Sequence, residues 1–383
     1  MRRDRRSVGL GFGLGRLVAA VSAAAVVAAA CTGTSARQAA PRPSLPFQGT
    51  LLLAPGQSSG GLASYDPASR RLTPIRAIPS TSFDFIAGAV WTGSGTGYFM
   101  GQAGRASGLY HVEGSRATRV GPKNFGSLVG VADGTVVASQ CFPPRPSLAV
   151  LDLADPTKWR SLGKVCGSAL SPDGSLVAVT VPKVQGQSIF GGNEFSLGTR
   201  VWAQALRAGA PRRLLLDVTA VPALRRVMVA DPQVVGLAWG RPGLAVAVAN
   251  GQSGPWAIVL VPMPASGPDA PSGPPRVVPL GQAQPFDLAW QPNGELLAFT
   301  GCYQCTTFGR NPAHVSDIRL YDTKTGSLRQ IAGSNNFLTG LVWSPGGDIL
   351  VTETPDSDLL FVDAGGRVQV RRSINAVPED WNR

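Results

Sequence analysis

One stretch limits what this chain can fold into more than any other. Residues 285–301 read PFDLAWQPNGELLAFTG. An alternating apolar run (Phe286, Leu288, Trp290) meets a Pro-Asn-Gly turn, and a second apolar run (Leu296 to Thr300) follows at once. Two short β-type runs across a glycine-containing turn predict a β-hairpin. Asp317 to Ile331, DIRLYDTKTGSLRQI, repeats the pattern of strand, polar turn and strand. Together these segments predict four short antiparallel strands, and the four-strand unit recurs along the chain. Such recurrence predicts an all-β fold, a β-propeller of four-stranded blades.

Seven units can be marked. The first, from Gly49, supplies only three strands (TLLLAP, then GLASYDPASRRLTPI). Others begin near Phe85, Leu128, Gly167, Val234, Pro285 and Phe337. The residues before the first turn of the six complete units are Trp91, Val131, Leu170, Trp239, Trp290 and Trp343, spaced 40, 39, 69, 51 and 53 residues apart. Tryptophan suits the wedge between neighbouring blades, so these rings are expected in the core rather than stacked on a ligand. The long gap coincides with an insertion, VPKVQGQSIFGGNEFSLGT, at 181–199. The three-strand first unit needs a fourth strand, and Ser373 to Trp381 can supply it, closing the ring without an open edge. Seven blades are therefore favoured over six.

The N-terminus has a different grammar. Arg2, Arg3, Arg5 and Arg6 precede an apolar run from Leu17 to Ala30, the layout of a secretory signal over residues 1–30. The segment Ala28-Ala29-Ala30-Cys31 resembles a bacterial lipobox, with Ala28 where leucine is usual; the resemblance implies lipid attachment at Cys31. Residues 31–48 then read as the lipidated cysteine and a Pro-rich flexible tether, with the propeller over 49–383. The alternative is an ordinary cleaved signal with an incidental cysteine. The net charge of +12 falls to +8 once the leader is set aside, and only five of the remaining cations are lysine. An arginine-rich, lysine-poor balance looks like the codon bias of a high-GC bacterium, so it is poor evidence for nucleic acid. Attraction to an anionic membrane surface fits equally well.

SPDGSLVAVT, WSPGGDILVT and WQPNGELLAF resemble the repeats of TolB-like and WD-repeat-like bacterial propellers. The resemblance covers roughly Gly49 to Trp381 and implies the fold, while such propellers serve as scaffolds, binders and enzymes alike. The Trp-Asp and Gly-His pairs of eukaryotic WD repeats are missing.

In a propeller, the connections between second and third strands and those between blades emerge on one face. The insertion 181–199 and the loop CYQCTTFGRNPAHVS (Cys302 to Ser316) both belong there, whereas the Pro-rich 262–276 falls on the opposite face. Long loops on one side of a rigid scaffold suggest a binding surface, and drift in surface loops is the plain alternative. Asn193, Glu194 and Phe195 in the insertion, with Arg310 and His314 in the loop, are the candidate binding residues. Of the four cysteines beyond Cys31, Cys141 and Cys166 map to adjacent blades on that face, where a disulfide is sensible. Cys302 and Cys305 form a C-x-x-C, read first as a structural disulfide; a redox pair would want a helix N-terminus.

His111 reads as a strand residue, and Asp173, Asp322 and Asp363 read as turn caps. No G-x-S-x-G elbow or H-E-x-x-H pair occurs, and neither a metal nor another cofactor is expected. The functional expectation is a monomeric, membrane-anchored extracytoplasmic lipoprotein, outside the cytoplasm and without nucleic-acid partners. Its propeller is expected to bind a protein or cell-envelope component without catalysis. The alternative is a lyase or hydrolase acting on glycan or peptide at the channel mouth.

Overall fold

The second strand of nearly every unit is apolar at successive positions rather than alternate ones: LLLA, VVAS, LVAVT, LAVAVA and LLAFTG. A sheet built on such strands presents an apolar surface on both faces and needs a neighbour on each side. The computed structural model describes residues 45, 47–55, 62–75, 85–93, 96–103, 106–113, 116–120, 127–132, 134–141, 146–155, 157–187, 193–207, 209–228, 232–250, 255–263, 271–302, 315–334, 338–354, 358–371, 374 and 376–382. These residues form seven four-stranded antiparallel sheets, the blades of a propeller, plus one two-stranded hairpin. Two short 3-10 turns, Val218–Ala220 and Leu224–Arg226, lie between blades four and five.

Six blades are continuous in sequence. Blade six, for example, runs from inner strand Gln284–Trp290 through Leu296–Cys302 and Ser316–Asp322 to outer strand Leu328–Ser334. Blade one is assembled from both ends of the chain. Thr50–Pro55, Ala63–Asp66 and Arg71–Pro74 give three strands, and Ala376–Asn382 pairs with the first of them as the innermost strand. The register sets Thr50 opposite Asn382 and Leu51 opposite Trp381. The closing strand begins three residues later than the sequence suggested.

Seven separate apolar clusters fill the seams, one between each pair of adjacent blades. Alternate residues of a second strand serve opposite seams. Leu51 and Leu53 pack toward blade seven, while Leu52 and Ala54 pack toward blade two. In blade six, Leu297 and Phe299 face blade five, and Ala298 faces blade seven. Each fully buried leucine or phenylalanine contributes about 1.5–3 kcal/mol, so the seams carry most of the stability.

Trp290 and Trp343 sit in these seams and are tied across them. Trp290 Nε1 donates to the Ala238 carbonyl of blade five (3.2 Å), and Trp343 Nε1 donates to the Ala289 carbonyl of blade six (3.0 Å). Gly240 makes room for this contact, since a Cβ there would stand 2.3 Å from Trp290 Cγ. In blade one, Trp381 Nε1 reaches the Gln48 carbonyl at 2.7 Å, and its ring packs edge-on against Phe361 of blade seven. The turn aspartates cap as their sequence context implies. Asp173 accepts from Ser171 Oγ and Ser175 N, Asp322 from Lys324 N and Thr325 N, and Asp363 from Arg367 N. Trp343→Ala should cost about 3–5 kcal/mol in denaturant unfolding. The exposed Trp159 on the outer strand of blade three should cost less than about 0.5 kcal/mol when replaced by alanine.

Candidate functional site

The inner strands wall the central channel, and none is a regular strand. Each carries one extra residue against its partner: the register slips after Ile86, Leu128, Gly167, Val234, Phe286 and Thr339, and in blade one between the partners of Leu52 and Leu53. A bulge bends and twists the strand, which seven inner strands converging on one axis require. It also needs unusual backbone. Gly88 and Gly340 take φ of +79° and +66° at the slip, and Asp287 takes +47° at the corresponding place in blade six.

Asp287 is the functional candidate that the sequence reading passed over. It is a non-glycine residue in left-handed backbone, which costs on the order of 1 kcal/mol relative to glycine. Its Oδ2 accepts from the Gly340 amide of blade seven at 3.0 Å. The carboxylate is wetted from the channel but walled by the ring, and this burial pushes its pKa up, with the Gly340 hydrogen bond opposing. Alternation puts Phe286 on the same face as Leu288 and Trp290. The slip after Phe286 instead leaves that ring 39% exposed, while Leu288 and Trp290 pack into the seam. Val235, on the inner strand of blade five, is likewise 39% exposed.

Two further carboxyls belong to this inner zone. Asp380, on the closing strand, accepts from the Trp91 amide (3.2 Å), and burial raises its pKa against the Trp91 and Trp381 hydrogen bonds. Glu353 ends the second strand of blade seven and is also raised by burial, with Thr339 Oγ1 donating to Oε2 at 3.4 Å.

The loop-bearing face is partly described. Cys141 and Cys166 are joined by a disulfide, Cα atoms 4.7 Å apart, bridging blades three and four. Cys302 ends a strand and is disulfide-bonded to a partner outside the described residues. Below that loop, Asp317 is buried and pairs with Arg319 Nε at 3.0 Å. The insertion builds a hairpin of its own, Lys183–Gln187 paired with Asn193–Ser196. Phe195 pairs with Val184 and Glu194 with Gly186 in its backbone register, and the side chains of Asn193, Glu194 and Phe195 lie outside what is described. Cys31, Cys305, Arg310 and His314 lie outside the described residues. Among the described residues no group of three metal-ligating side chains occurs.

No protein-family model matches the chain, and no curated protein matches it by sequence. Solved structures do match in fold. Oligogalacturonate lyase from Vibrio parahaemolyticus is 11% identical, with a TM-score of 0.54 over 84% of this chain and 90% of that one. AztD from Citrobacter koseri is 12% identical, with a TM-score of 0.52 over 87% and 97%. TolB from Acinetobacter baumannii is 14% identical, with a TM-score of 0.44 over 84% and 78%. At these identities the likeness is one of fold. The chain is a seven-bladed β-propeller.

The raised pKa of Asp287 has a signed consequence. A carboxyl whose folded pKa lies above its unfolded value penalises the fold when ionised, and the penalty disappears as pH falls toward the unfolded value. Asp287→Asn tolerates left-handed backbone and can still accept from Gly340. Its melting temperature should exceed wild type by roughly 1–3 °C at pH 7.5. The gap should close as pH is lowered toward about 4; an equal gap at both pH values would rule out the carboxyl as its source.

Proposed function

We propose that this chain is an extracytoplasmic lipoprotein, anchored through Cys31 to the outer face of the cell membrane. Its propeller binds a protein partner or cell-envelope component without catalysis. The observation that carries the reading is the hairpin at 183–196, folded out of a connection between second and third strands. In the minimal blade that connection is a short loop, so the insertion adds an ordered element to the face that also bears the Cys141–Cys166 bridge. A rigid scaffold presenting ordered extra structure on one face is the usual form of a recognition surface. The basic leader, the apolar segment and the small residues before Cys31 support the anchor.

One observation favours the rival, a lyase or hydrolase acting on glycan or peptide. Asp287 places a carboxyl at the channel wall whose pKa desolvation raises, a group that can give up or take a proton beside a bound substrate.

In cells labelled with an alkyne fatty acid, wild type should carry label and sediment with membranes. Cys31→Ala should lose the label and leave the membrane fraction. Crosslinking from intact cells should capture a defined partner that is lost when residues 181–199 are replaced by a Gly-Ser turn. Capture unaffected by that exchange would remove the binding-face reading, and turnover abolished by Asp287→Asn would favour the enzyme.

A further inference from the structure

Four inner strands end in one recurring pattern, a residue followed by two apolar positions and tryptophan: GAVW at 88–91, GLAW at 236–239, DLAW at 287–290 and GLVW at 340–343. Three of the four begin with glycine. The fourth begins with Asp287, held at φ +47° where glycine would be unstrained. Gly88 and Gly340 take the same left-handed backbone, at φ +79° and +66°, without a Cβ to strain it, whereas the aspartate brings a carboxyl to the channel wall at a cost in backbone energy. Strain retained at one position of a repeat points to a role that the repeat itself does not need.

The surroundings of that carboxyl define what it suits. Among the described residues its carboxylate accepts from the Gly340 amide, on Oδ2, and no lysine or arginine pairs with it. The residue before it, Phe286, is an exposed aromatic ring on the inner strand, and Val235 of blade five is an exposed aliphatic one. Thr339, on the adjoining strand of blade seven, is exposed as well. Among the described residues, the raised carboxyls Glu353 and Asp380 share this inner zone, and the Arg319 guanidinium is already paired with Asp317. A divalent metal would want several oxygen ligands converging, and the described residues do not bring three such groups together. An ammonium group needs one carboxylate for a charge-assisted hydrogen bond, with apolar walls for its stem and an aromatic face for its charge.

We propose that the channel wall at Asp287 and Phe286 is a binding site for a small organic cation, an alkyl- or arylammonium ion. Asp287 takes the ammonium through the oxygen not bonded to Gly340. Phe286 and Val235 hold the apolar stem, and Thr339 edges the site. The assignment does not depend on the loop face or on the lipid anchor.

The test is calorimetric titration of the full-length chain with phenethylammonium, alongside its uncharged analogue 2-phenylethanol. The cation should bind at least tenfold more tightly than the alcohol. Asp287→Asn and Asp287→Gly should each weaken the cation at least tenfold and leave the alcohol unchanged; the glycine variant restores the residue used in three other blades, so it should fold. Phe286→Ala should weaken both. Equal affinity for the two probes, no binding of the cation to wild type, or undiminished binding by folded Asp287→Gly would each overturn the proposal. A partner lost on exchange of 181–199 would leave this outcome untouched, so the two readings fail separately.

Discussion

Every blade of this protein has two apolar faces, and that constraint dictates the rest. Leu51 and Leu52 are adjacent in sequence yet belong to different seams. Neither face of such a sheet can be left in water without losing burial worth several kcal/mol. A row of such sheets is satisfied only when the last meets the first. The chain achieves this by placing Ala376–Asn382 inside the blade begun by Thr50–Pro55, so the two ends of the domain are locked by main-chain hydrogen bonds and by Trp381. No edge is left at the seam where a ring would otherwise open.

Closure carries a second consequence, at the axis. Seven inner strands converge, each bends by a one-residue bulge, and some of their backbone amides are left to bond to the neighbouring blade. Gly340 and Trp91 show what those amides can do: they hold the carboxyls of Asp287 and Asp380 from the neighbouring blade. The outer turns use aspartate in the opposite sense. Asp66 and Asp322 accept amide and hydroxyl hydrogen bonds in open solvent, and those bonds lower their pKa values. Turn carboxylates therefore support the fold fully above the ordinary carboxylate range, and the support is lost as pH falls from there through their lowered pKa values. The inner carboxyls oppose the fold when ionised. Charges that stabilise lie at the rim, and charges with a cost lie at the axis, where a ligand could use them.

The fold was legible because the repeat is written in residues that have little choice. Apolar runs that do not alternate, tryptophan before the first turn in four of the six complete units, and Asp or Asn with glycine in the turns fix blade, seam and hairpin. The four-strand units, the displaced first blade and the closing strand follow from counting them. The channel wall was not legible by the same rule. Strict alternation puts Phe286 on the face of Leu288 and Trp290 and passes over Asp287, whereas the slip after Phe286 takes its ring off that face and leaves both residues exposed. The pattern G-x-x-W held the missing signal: its single aspartate marks where a glycine's backbone has been given to a charged residue. The loop residues Asn193, Glu194, Arg310 and His314 were chosen for their place on a face, and their side chains have no repeat to test them against.

The central claim is that closure through the terminal strand makes seven blades one cooperative unit. Native-state hydrogen exchange, read by mass spectrometry on the full chain and on a chain ending at residue 375, tests it most directly. Without the inner strand of blade one, protection should fall in all seven blades together, because both flanking seams lose a wall. Loss confined to residues 50–74, with the remaining blades as protected as in the full chain, would contradict the account.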